Sequence, residues 1–153
     1  MHPEPQDELR SASFRDLDTT TLYALLKLRT DVFVVEQNCP YAELDGRDDE
    51  PATRHLWVER DGEIRAYLRV LNDGDVERIG RVATAKTARG AGLAGRLMAE
   101  ALTIIGNRPS VLDAQAHLME FYARFGYRPA GPEYVEDGIP HVPMAREASP
   151  PVR

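Results

Sequence analysis

The chain has 153 residues, of which 42% are hydrophobic and 29% charged, and this balance predicts a single folded domain and argues against a disordered chain. Its net charge of −6 disfavours binding to nucleic acid or to an anionic membrane surface. The single cysteine, Cys39, excludes an internal disulfide framework, and with neither a leader-like start nor an apolar run of about 20 residues the sequence predicts a cytoplasmic protein.

Residues 1–9 and 149–153 contain proline and polar residues and are expected to be loose, so the predicted domain spans residues 10–148. Within it, weak alternation over Arg10–Leu17 predicts a first strand. Asp18 is a candidate N-cap, and the apolar pattern predicts a helix over Thr19–Glu36.

The apolar stripe of this first helix also carries two charged residues. Arg29 and Glu36 fall on its inward side at helical spacing. They form either a structural ion pair or one edge of a functional site.

An antiparallel meander is predicted after an acidic loop. The dipeptide Asp61-Gly62 favours a tight hairpin turn between the strand-like runs His55–Glu59 and Glu63–Leu71. A second turn precedes a third strand of the meander, Val76–Ala85.

Helices and strands alternate in the second half. Apolar residues at helical spacing predict a helix over Gly90–Ile105, and a short buried strand follows over Ser110–Ala116. A short helix over His117–Phe125, a turn-rich loop over Gly131–Pro140 and a last strand over His141–Arg146 complete the domain. This order predicts an α/β fold, specifically a mixed α+β sheet with helices packed on it.

Charge is distributed unevenly along the chain. Residues 78–99 contain five cations and no acid, so this basic segment carries +5 and the remainder −11 of the net −6. Six acidic residues stand against a single arginine in the acidic segment, residues 36–50; they are Glu36, Glu43, Asp45, Asp48, Asp49 and Glu50.

A glycine-rich turn lies inside the basic segment. Residues 90–95 read G-x-G-x-x-G, a fingerprint of dinucleotide-binding folds. That interpretation is disfavoured because residues 86–89 separate the turn from the preceding strand, and the 40 residues after Asp113 are too few for further βα units. Small residues before a helix N-terminus still favour phosphate binding. Three cations surround the turn: Lys86, Arg89 and Arg96.

Motifs in the second half carry a family resemblance. Residues 89–94 fit the pattern R/Q-x-x-G-x-G/A, and residues 115–129 contain a short helix ending in Tyr-x-x-x-Gly-aromatic. Both resemble motifs of the GCN5-related N-acetyltransferases, with Ala94 in place of the commoner glycine and Gln115 where many relatives have asparagine. Five further segments narrow the resemblance to the ElaA-like branch: Val32–Tyr41, Asp45–Gly46, Ile79–Val82, Ala114–Leu118 and Glu136–His141.

The resemblance covers roughly residues 12–147 and implies an acyl-CoA N-acyltransferase fold. Its sheet is mostly antiparallel and splayed between the fourth and fifth strands, with acetyl-CoA in the opening. Backbone groups of Val82 and Thr84 would pair with the pantetheine arm, and an N–H near Val82 would polarise the thioester carbonyl. The residues implied to bind the cosubstrate are Val82, Ala83, Thr84, Arg89, Gly90, Ala91, Gly92, Leu93, Ala94, Gly95, Arg96 and Gln115.

The implied reaction is direct transfer of the acetyl group to a primary amine, which needs an acid for the leaving thiolate and a base for the attacking amine. Tyr122 stands where the family carries the acid, although its apolar neighbours also fit a core aromatic residue. Three side chains, or an ordered water, are candidates for the base: Glu36, His141 and His117. Glu36 is the preferred candidate, and for both histidines a structural hydrogen bond is favoured over catalysis. Cys39 is expected to be a buried loop thiol rather than a nucleophile.

The acidic segment and the loop 133–137 are expected to flank the acceptor, with Phe33, Asp45 and Tyr134 as candidate contacts. An acidic wall predicts a cationic acceptor, either a small-molecule amine or a protein amino group, and the alternative is a solvated acidic surface. The scattered histidines predict no metal site. A catalytically silent acyl-CoA sensor and a nucleotide-dependent oxidoreductase stay open as other functions, and the sequence does not predict an oligomeric state.

Overall fold

The computed structural model describes residues 6–38 and 42–148, so Cys39 and most of the two termini predicted to be loose lie outside the described residues. Within these described residues, eight strands and three α-helices form the fold. The strands are β1 (Glu8–Ser13), β2 (Arg54–Arg60), β3 (Glu63–Asn72), β4 (Glu77–Thr84), β5 (Ser110–Gln115), β6 (Arg128–Pro129), β7 (Tyr134–Glu136) and β8 (Ile139–Arg146). The helices are α1 (Thr19–Thr30), α2 (Leu93–Ile105) and α3 (Met119–Ala123).

The strands form one mixed sheet in the order β1-β2-β3-β4-β5-β8-β6, and β7 also pairs with β8. Neighbouring strands run antiparallel except β4 and β5, which run parallel. Within the described chain, these two pair only at Glu77–Ser110 and Arg78–Val111 and then diverge. The predicted mixed sheet, splayed between its fourth and fifth strands, is therefore confirmed.

The two faces of the sheet bury different sets of side chains because successive residues of a strand point to opposite sides. Leu68 belongs to the larger core, where the sheet packs against α2 and α3. Its neighbour Tyr67 belongs to a smaller core on the α1 side, together with Trp57. The site described below lies where both cores reach the gap between β4 and β5.

A bulge interrupts β4 and was not predicted. Tyr67 pairs with Ala83 but Arg69 pairs with Gly80, so one residue of β3 opposes two of β4. The extra residue reverses which face of the sheet the following side chains point to. Ile79 is buried in the α2 core, whereas Ala83, four residues later, is buried on the α1 side. Arg81 adopts a left-handed backbone conformation at the bulge, with φ of 54°. Such strain in a non-glycine residue is concentrated at functional sites.

The first helix differs from its prediction at the C-terminal end. Asp18 caps α1 as predicted, its carboxylate accepting a hydrogen bond from the Thr21 N–H at 2.7 Å. The α-helix ends at Thr30 and continues as a π-helical segment, Asp31–Glu36. Three valines in this segment have low helix propensity, and π-helical turns are frequent at functional sites.

Smaller differences concern element boundaries. The first strand begins at Glu8 and ends at Ser13, because residues 14–16 form a 3₁₀ turn. The loop predicted over Gly131–Pro140 contains β7, which forms a hairpin with β8 around the turn Asp137-Gly138. The helix predicted from Gly90 begins at Leu93.

Candidate active site

A cleft of about 710 Å³ opens where β4 and β5 diverge. Val82 and Thr84 of β4 line one side, and Gln115 of β5 lines the other. Tyr122 of α3 and Phe33 of the π-helical segment also face it. The splayed strands, the π-helical segment and α3 therefore surround a single opening.

The glycine-rich turn leads from β4 into α2 beside this cleft. Gly90 and Gly92 have φ of 86° and 73°, a backbone conformation that residues with a Cβ rarely adopt. Gly92 is the N-cap of α2, so the first N–H groups of the helix lie at the turn without partners inside the helix. A turn of this kind favours a phosphate group.

Arg89 links the turn to the π-helical segment. Its Nη1 and Nη2 each donate to a carboxylate oxygen of Glu36 at 2.7 Å, and its Nε donates to the Thr84 carbonyl at 3.2 Å. The hydrogen bonds from Arg89 lower the pKa of Glu36, and the same pair raises the pKa of Arg89. Glu36, a candidate base, is thus held as a charged partner of Arg89, which weakens it as a proton acceptor.

Arg29 does not pair with Glu36, although the helical pattern placed the two on one side. It is buried and donates to Glu43 Oε2 at 2.6 Å and to Asp48 Oδ1 at 2.7 Å. The π-helical turn after Thr30 rotates Glu36 away from the stripe, because it has more residues per turn than an α-helix. Arg29 is therefore part of a structural ion-pair network, whereas Glu36 lies at the edge of the cleft.

The acidic segment is neutralised by arginines from the sheet. Arg69 donates to Asp45 at 2.9 Å and to Asp48 at 3.0 Å, and Arg81 donates to Glu43 at 3.0 Å. Burial opposes the charges of Asp45 and Asp48, but hydrogen bonds from Arg69 and Arg29 outweigh it and lower the pKa of each. Asp45 does line the cleft, as predicted, yet it faces it as half of an ion pair.

A buried histidine anchors the same segment to the sheet. His55 Nδ1 lies 2.6 Å from the Tyr67 hydroxyl, and its Nε2 lies 2.9 Å from the Asp48 carbonyl oxygen. Burial lowers the pKa of His55, which favours the neutral ring. The loop that contains Asp48 is therefore held to the sheet by several hydrogen bonds.

Tyr122 combines burial with access to the cleft. Its ring meets Phe121 edge to face at a centroid distance of 5.0 Å, and only 6% of the residue is exposed. Burial, and to a lesser extent the neighbouring Tyr127, raises its pKa to about 12. Among residues 6–38 and 42–148 no hydrogen bond engages its hydroxyl. The phenol is both a core aromatic residue and a protonated donor at the cleft.

A chain of polar contacts crosses the opposite wall. Arg78 of β4 donates to Asp113 of β5 at 3.0 Å, and Asp113 accepts a hydrogen bond from the Tyr134 hydroxyl. Burial, followed by Asp113, raises the pKa of Tyr134 to about 12. The Tyr134 ring stacks on His141, with centroids 5.6 Å apart. Tyr134, predicted as an acceptor contact, therefore supports His141 and does not line the cleft as described.

The two candidate histidines differ in their surroundings. His141 lines the cleft, is half-buried, and has its Nδ1 2.8 Å from the Ile139 carbonyl oxygen. His117 lines the same cleft but is exposed, and its ring makes no hydrogen bond in the part of the chain that the structure describes. Only the first has a ring orientation defined by hydrogen bonding.

The sequence of this chain matches a family model. The match includes the splayed strands, the bulge in β4 and the glycine-rich start of α2. The model, described as "Acetyltransferase (GNAT) domain", matches residues 22–148. The chain belongs to this GNAT family. It is similar to a UPF0039 protein of Mycobacterium tuberculosis, at 50% identity over 94% of this chain and 95% of that one.

Two solved GNAT structures are also similar. An acyl-CoA N-acyltransferase from Pseudomonas aeruginosa is 44% identical, with a TM-score of 0.88 over 92% of this chain and 99% of that one. Escherichia coli ElaA is 41% identical, with a TM-score of 0.88 over 93% of this chain and 100% of that one. The predicted family and its ElaA-like branch are confirmed.

Most residues predicted from the GNAT resemblance meet at this cleft. Those that line it are Phe33, Glu36, Asp45, Val82, Ala83, Thr84, Arg89, Ala94, Gln115, His117, Tyr122 and His141. Three others lie at the glycine-rich turn, but their side chains or Cα positions face away from the cleft. The Leu93 side chain is in the core, Gly95 packs near Phe125, and Arg96 contacts the Asp7 carbonyl. Their predicted contribution is that of backbone N–H groups or charge, and it stays a prediction.

Sequence reasoning missed the arginines opposite the acidic segment. Arg69, Arg78 and Arg81 all line the cleft. Arg78 and Arg81 are three residues apart and reach the same side because the bulge in β4 inserts one extra residue between them. Only the positions of Arg78 and Arg81 in the basic segment signalled a role. Arg69 carried no signal, because its carboxylate partners are more than 20 residues away in sequence.

Two features are absent from residues 6–38 and 42–148. No helix there is both long and apolar enough to span a membrane. No group of three or more His, Cys, Asp or Glu side chains there could hold a metal ion.

Proposed function

We propose that this GNAT protein is an N-acetyltransferase that transfers the acetyl group of acetyl-CoA directly to a primary amine. One observation carries the proposal: the opening between β4 and β5 has the glycine-rich start of α2 at one end and the protonated Tyr122 on its wall. The similarity to a chain described as an acyl-CoA N-acyltransferase supports the choice of an acyl-CoA.

The fit of the pantetheine arm is supported by the edge of β4. After Arg78, β4 no longer pairs with β5, so this edge is open to another extended chain. Val82 and Thr84 line the opening there. An arm lying between the strands would pair with their backbone groups as an added strand does.

The diphosphate of the cosubstrate is expected at the glycine-rich turn. The helix N-terminus supplies N–H donors and the positive end of the helix dipole. Of the three cations around the turn, Arg89 lines the cleft, and its guanidinium already holds a planar anion, the Glu36 carboxylate. The same fork suits phosphate oxygens.

Bound acetyl-CoA supplies an activated thioester whose carbonyl oxygen gains charge as the amine attacks. The bulge at Arg81 interrupts the register between β3 and β4. We expect a backbone N–H near Val82, which lines the cleft, to stabilise that charge. Tyr122 then donates its phenolic proton to the departing thiolate. With a pKa raised to about 12, the phenol is protonated at neutral pH, while the parent thiol has a pKa near ~8.5.

The acceptor is proposed to be a cationic amine, but the acidic segment does not supply the attraction. Glu43, Asp45 and Asp48 are engaged by arginines. Glu136, an exposed acid of β7, lines the cleft and is the carboxylate that we propose attracts the amine. We expect Glu136→Gln to raise the KM for a diamine more than for a monoamine, whereas the remote, exposed Asp49→Asn leaves both KM values unchanged. Equal KM values in Glu136→Gln and the unaltered protein would contradict electrostatic attraction.

A silent acyl-CoA-binding module is the second candidate, and one observation favours it. Relatives often carry a basic carboxylate on the strand equivalent to β4, whereas the only acid of β4, Glu77, is buried at the closed end beside Arg108. A silent module would bind acetyl-CoA without releasing free thiol.

The experiment measures both properties on the same protein. Calorimetric titration with CoA and a thermal shift test binding, since a ligand of the folded state must raise the melting temperature. Release of free thiol from acetyl-CoA with a panel of amines tests turnover, in the unaltered protein, in Tyr122→Phe and in the control Tyr23→Phe, whose ring is exposed on α1. We expect turnover to be lost only in Tyr122→Phe. Binding without turnover would support the silent module, and absence of both would reject the proposal.

A further inference from the structure

His141 occupies a defined position on the acceptor wall. It lies on β8 between two strands, opposite Gln115 of β5 and opposite Tyr134 of β7. The ring is half-buried, lines the cleft and stacks on Tyr134 with an angle of 19° between the two planes. It is therefore a side chain of the cleft whose plane is set by packing.

One hydrogen bond determines where the proton of the neutral ring resides. His141 Nδ1 lies 2.8 Å from the Ile139 carbonyl oxygen, and a carbonyl oxygen can only accept. The neutral imidazole therefore carries its proton on Nδ1, and the lone pair is on Nε2. An oriented ring with a lone pair on the distal nitrogen is the arrangement that a histidine base requires.

The tyrosine that supports the ring is itself held. The Tyr134 hydroxyl donates to Asp113, which accepts from Arg78 across the gap between β5 and β4. The position of His141 is thus tied to both strands that form the cleft. A solvated surface histidine would have no such support.

The other candidate bases lack these features. The Glu36 carboxylate accepts hydrogen bonds from both Nη atoms of Arg89. His117 is exposed and no hydrogen bond of the described residues orients it. His141 is the candidate whose geometry leaves an oriented lone pair.

We propose that Nε2 of His141 is the general base that takes a proton from the ammonium group of the acceptor. This inference rests on the proposed acetyl transfer. The balance is complete: the ammonium loses one proton to Nε2, and the amine forms the C–N bond. The nitrogen then loses a second proton as the C–S bond breaks, and Tyr122 protonates the thiolate. The products are the amide, the thiol and one proton, which His141 passes to solvent, while Tyr122 recovers its proton from the nitrogen through water.

Several charged and titratable groups share the wall with His141. Tyr134 faces it from β7, and Asp113 on β5 and Arg78 on β4 follow through hydrogen bonds. Asp137 in the hairpin turn, Glu136 and His117 line the same cleft. A pH profile of the enzyme must therefore be compared between variants rather than interpreted alone.

The experiment compares His141→Gln with Tyr23→Phe, a change at an exposed residue of α1 that does not line the cleft. We expect His141→Gln to lower kcat/KM about 100-fold for amines that are protonated at the assay pH, a typical effect of removing a general base. For amines whose own pKa lies well below the assay pH, the loss should shrink to a few-fold, because no base is then needed. In the unaltered enzyme, kcat/KM should fall as the pH is lowered. In His141→Gln this fall should instead follow the pKa of the amine substrate. Tyr23→Phe should keep the original profile.

A second variant separates chemistry from folding. His141→Asn retains an amide N–H near the place of Nδ1 but has no base, so it should show the same dependence on amine pKa, with unchanged CoA affinity. An equal loss for all amines in both variants, or no loss at all, would overturn the inference. Failure of the unaltered protein to release thiol with any amine would instead reject the proposed function.

Discussion

Arg78 and Asp113 join the two strands of the sheet where they separate. Arg78 makes the last backbone pair between β4 and β5, opposite Val111, and its Nη1 lies 3.0 Å from Asp113 Oδ2. The ion pair continues the connection between the strands by side chains just where backbone pairing ends. Because Asp113 also accepts from Tyr134, the width of the cleft and the support of His141 depend on one carboxylate.

We predict that Asp113→Asn separates stability from activity. Both side chains are about 40% exposed, and such ion pairs contribute about 0–1 kcal/mol, so the free energy of unfolding should change little. The loss of charge should let Arg78 move and reduce kcat/KM several-fold. Urea denaturation and initial rates check this, with Asp49→Asn as the surface control. A large loss of stability with unchanged rate would contradict it.

The pKa of Tyr122 predicts the alkaline behaviour of the enzyme. Since burial raises this pKa to about 12, the phenol should stay protonated and the rate should not fall between about pH 8 and 10 for want of the acid. Rate measurements at saturating acetyl-CoA over this range test the expectation. A descending limb centred well below pH 10 would contradict this expectation.

Release of Arg89 from Glu36 is expected to strengthen CoA binding. Glu36→Gln removes the carboxylate that occupies the guanidinium, leaving it available to phosphate oxygens. Because the pair is exposed, the gain should be modest, about two- to five-fold in Kd. Titration with CoA measures it, and Asp31→Asn, an exposed carboxylate in the same π-helical segment, is the control. Weaker binding in Glu36→Gln would show instead that the ion pair is needed in the bound state.

The buried ion pairs of Arg29 predict a large effect on stability. Removing one partner of a buried pair leaves uncompensated charge, and Arg29→Met should therefore cost about 3 kcal/mol. The exposed pair Lys27–Asp31 lies at the same C-terminal end of α1. Lys27→Met should therefore change the free energy of unfolding by less than about 0.5 kcal/mol. Chemical denaturation of both variants makes the comparison. Equal effects would mean that the buried network does not stabilise the fold.

Stability should depend on pH through His55. Its folded-state pKa is lowered by burial, so between that value and the unfolded value of about 6.5 the unfolded chain binds more protons. The free energy of unfolding should consequently rise with pH up to about 6.5, with a slope of at most about 1.4 kcal/mol per pH unit. Its contribution is complete above about pH 6.5 and is lost as the pH falls through the folded value.

Urea titrations from about pH 4.5 to 8 test this window, and His55→Asn should flatten the slope there. Asp45 and Asp48 affect stability at lower pH than His55. Because their pKa values are lowered in the folded state, their contribution to stability is complete above the unfolded pKa of about 3.9 and is lost as the pH falls below it. An unchanged slope in His55→Asn would assign the pH dependence to other groups.

Local patterns in the chain were sufficient for much of the fold. The hairpin at Asp61-Gly62, the N-cap at Asp18 and the helix after the glycine-rich turn all depend on residues within a few positions of one another. The family and the residues of the cosubstrate turn follow from motifs of the same short range. Propensity and spacing act locally, so a sequence displays them directly.

Tertiary structure decided how the charges are used. The acidic segment, from its composition, is an acidic surface, yet Arg29, Arg69 and Arg81 neutralise it from other elements. The bulge in β4 depends on register against β3, and the π-helical segment separates Glu36 from Arg29.

The amino-acid sequence by itself thus determined the fold class, the family and the place of the glycine-rich turn. Only the tertiary structure decided which carboxylates are neutralised and which histidine has an oriented ring. The physical reason is that an ion pair or a ring tautomer depends on atoms a few ångströms apart in space that are tens of residues apart along the chain. Neither propensity nor periodicity carries that information.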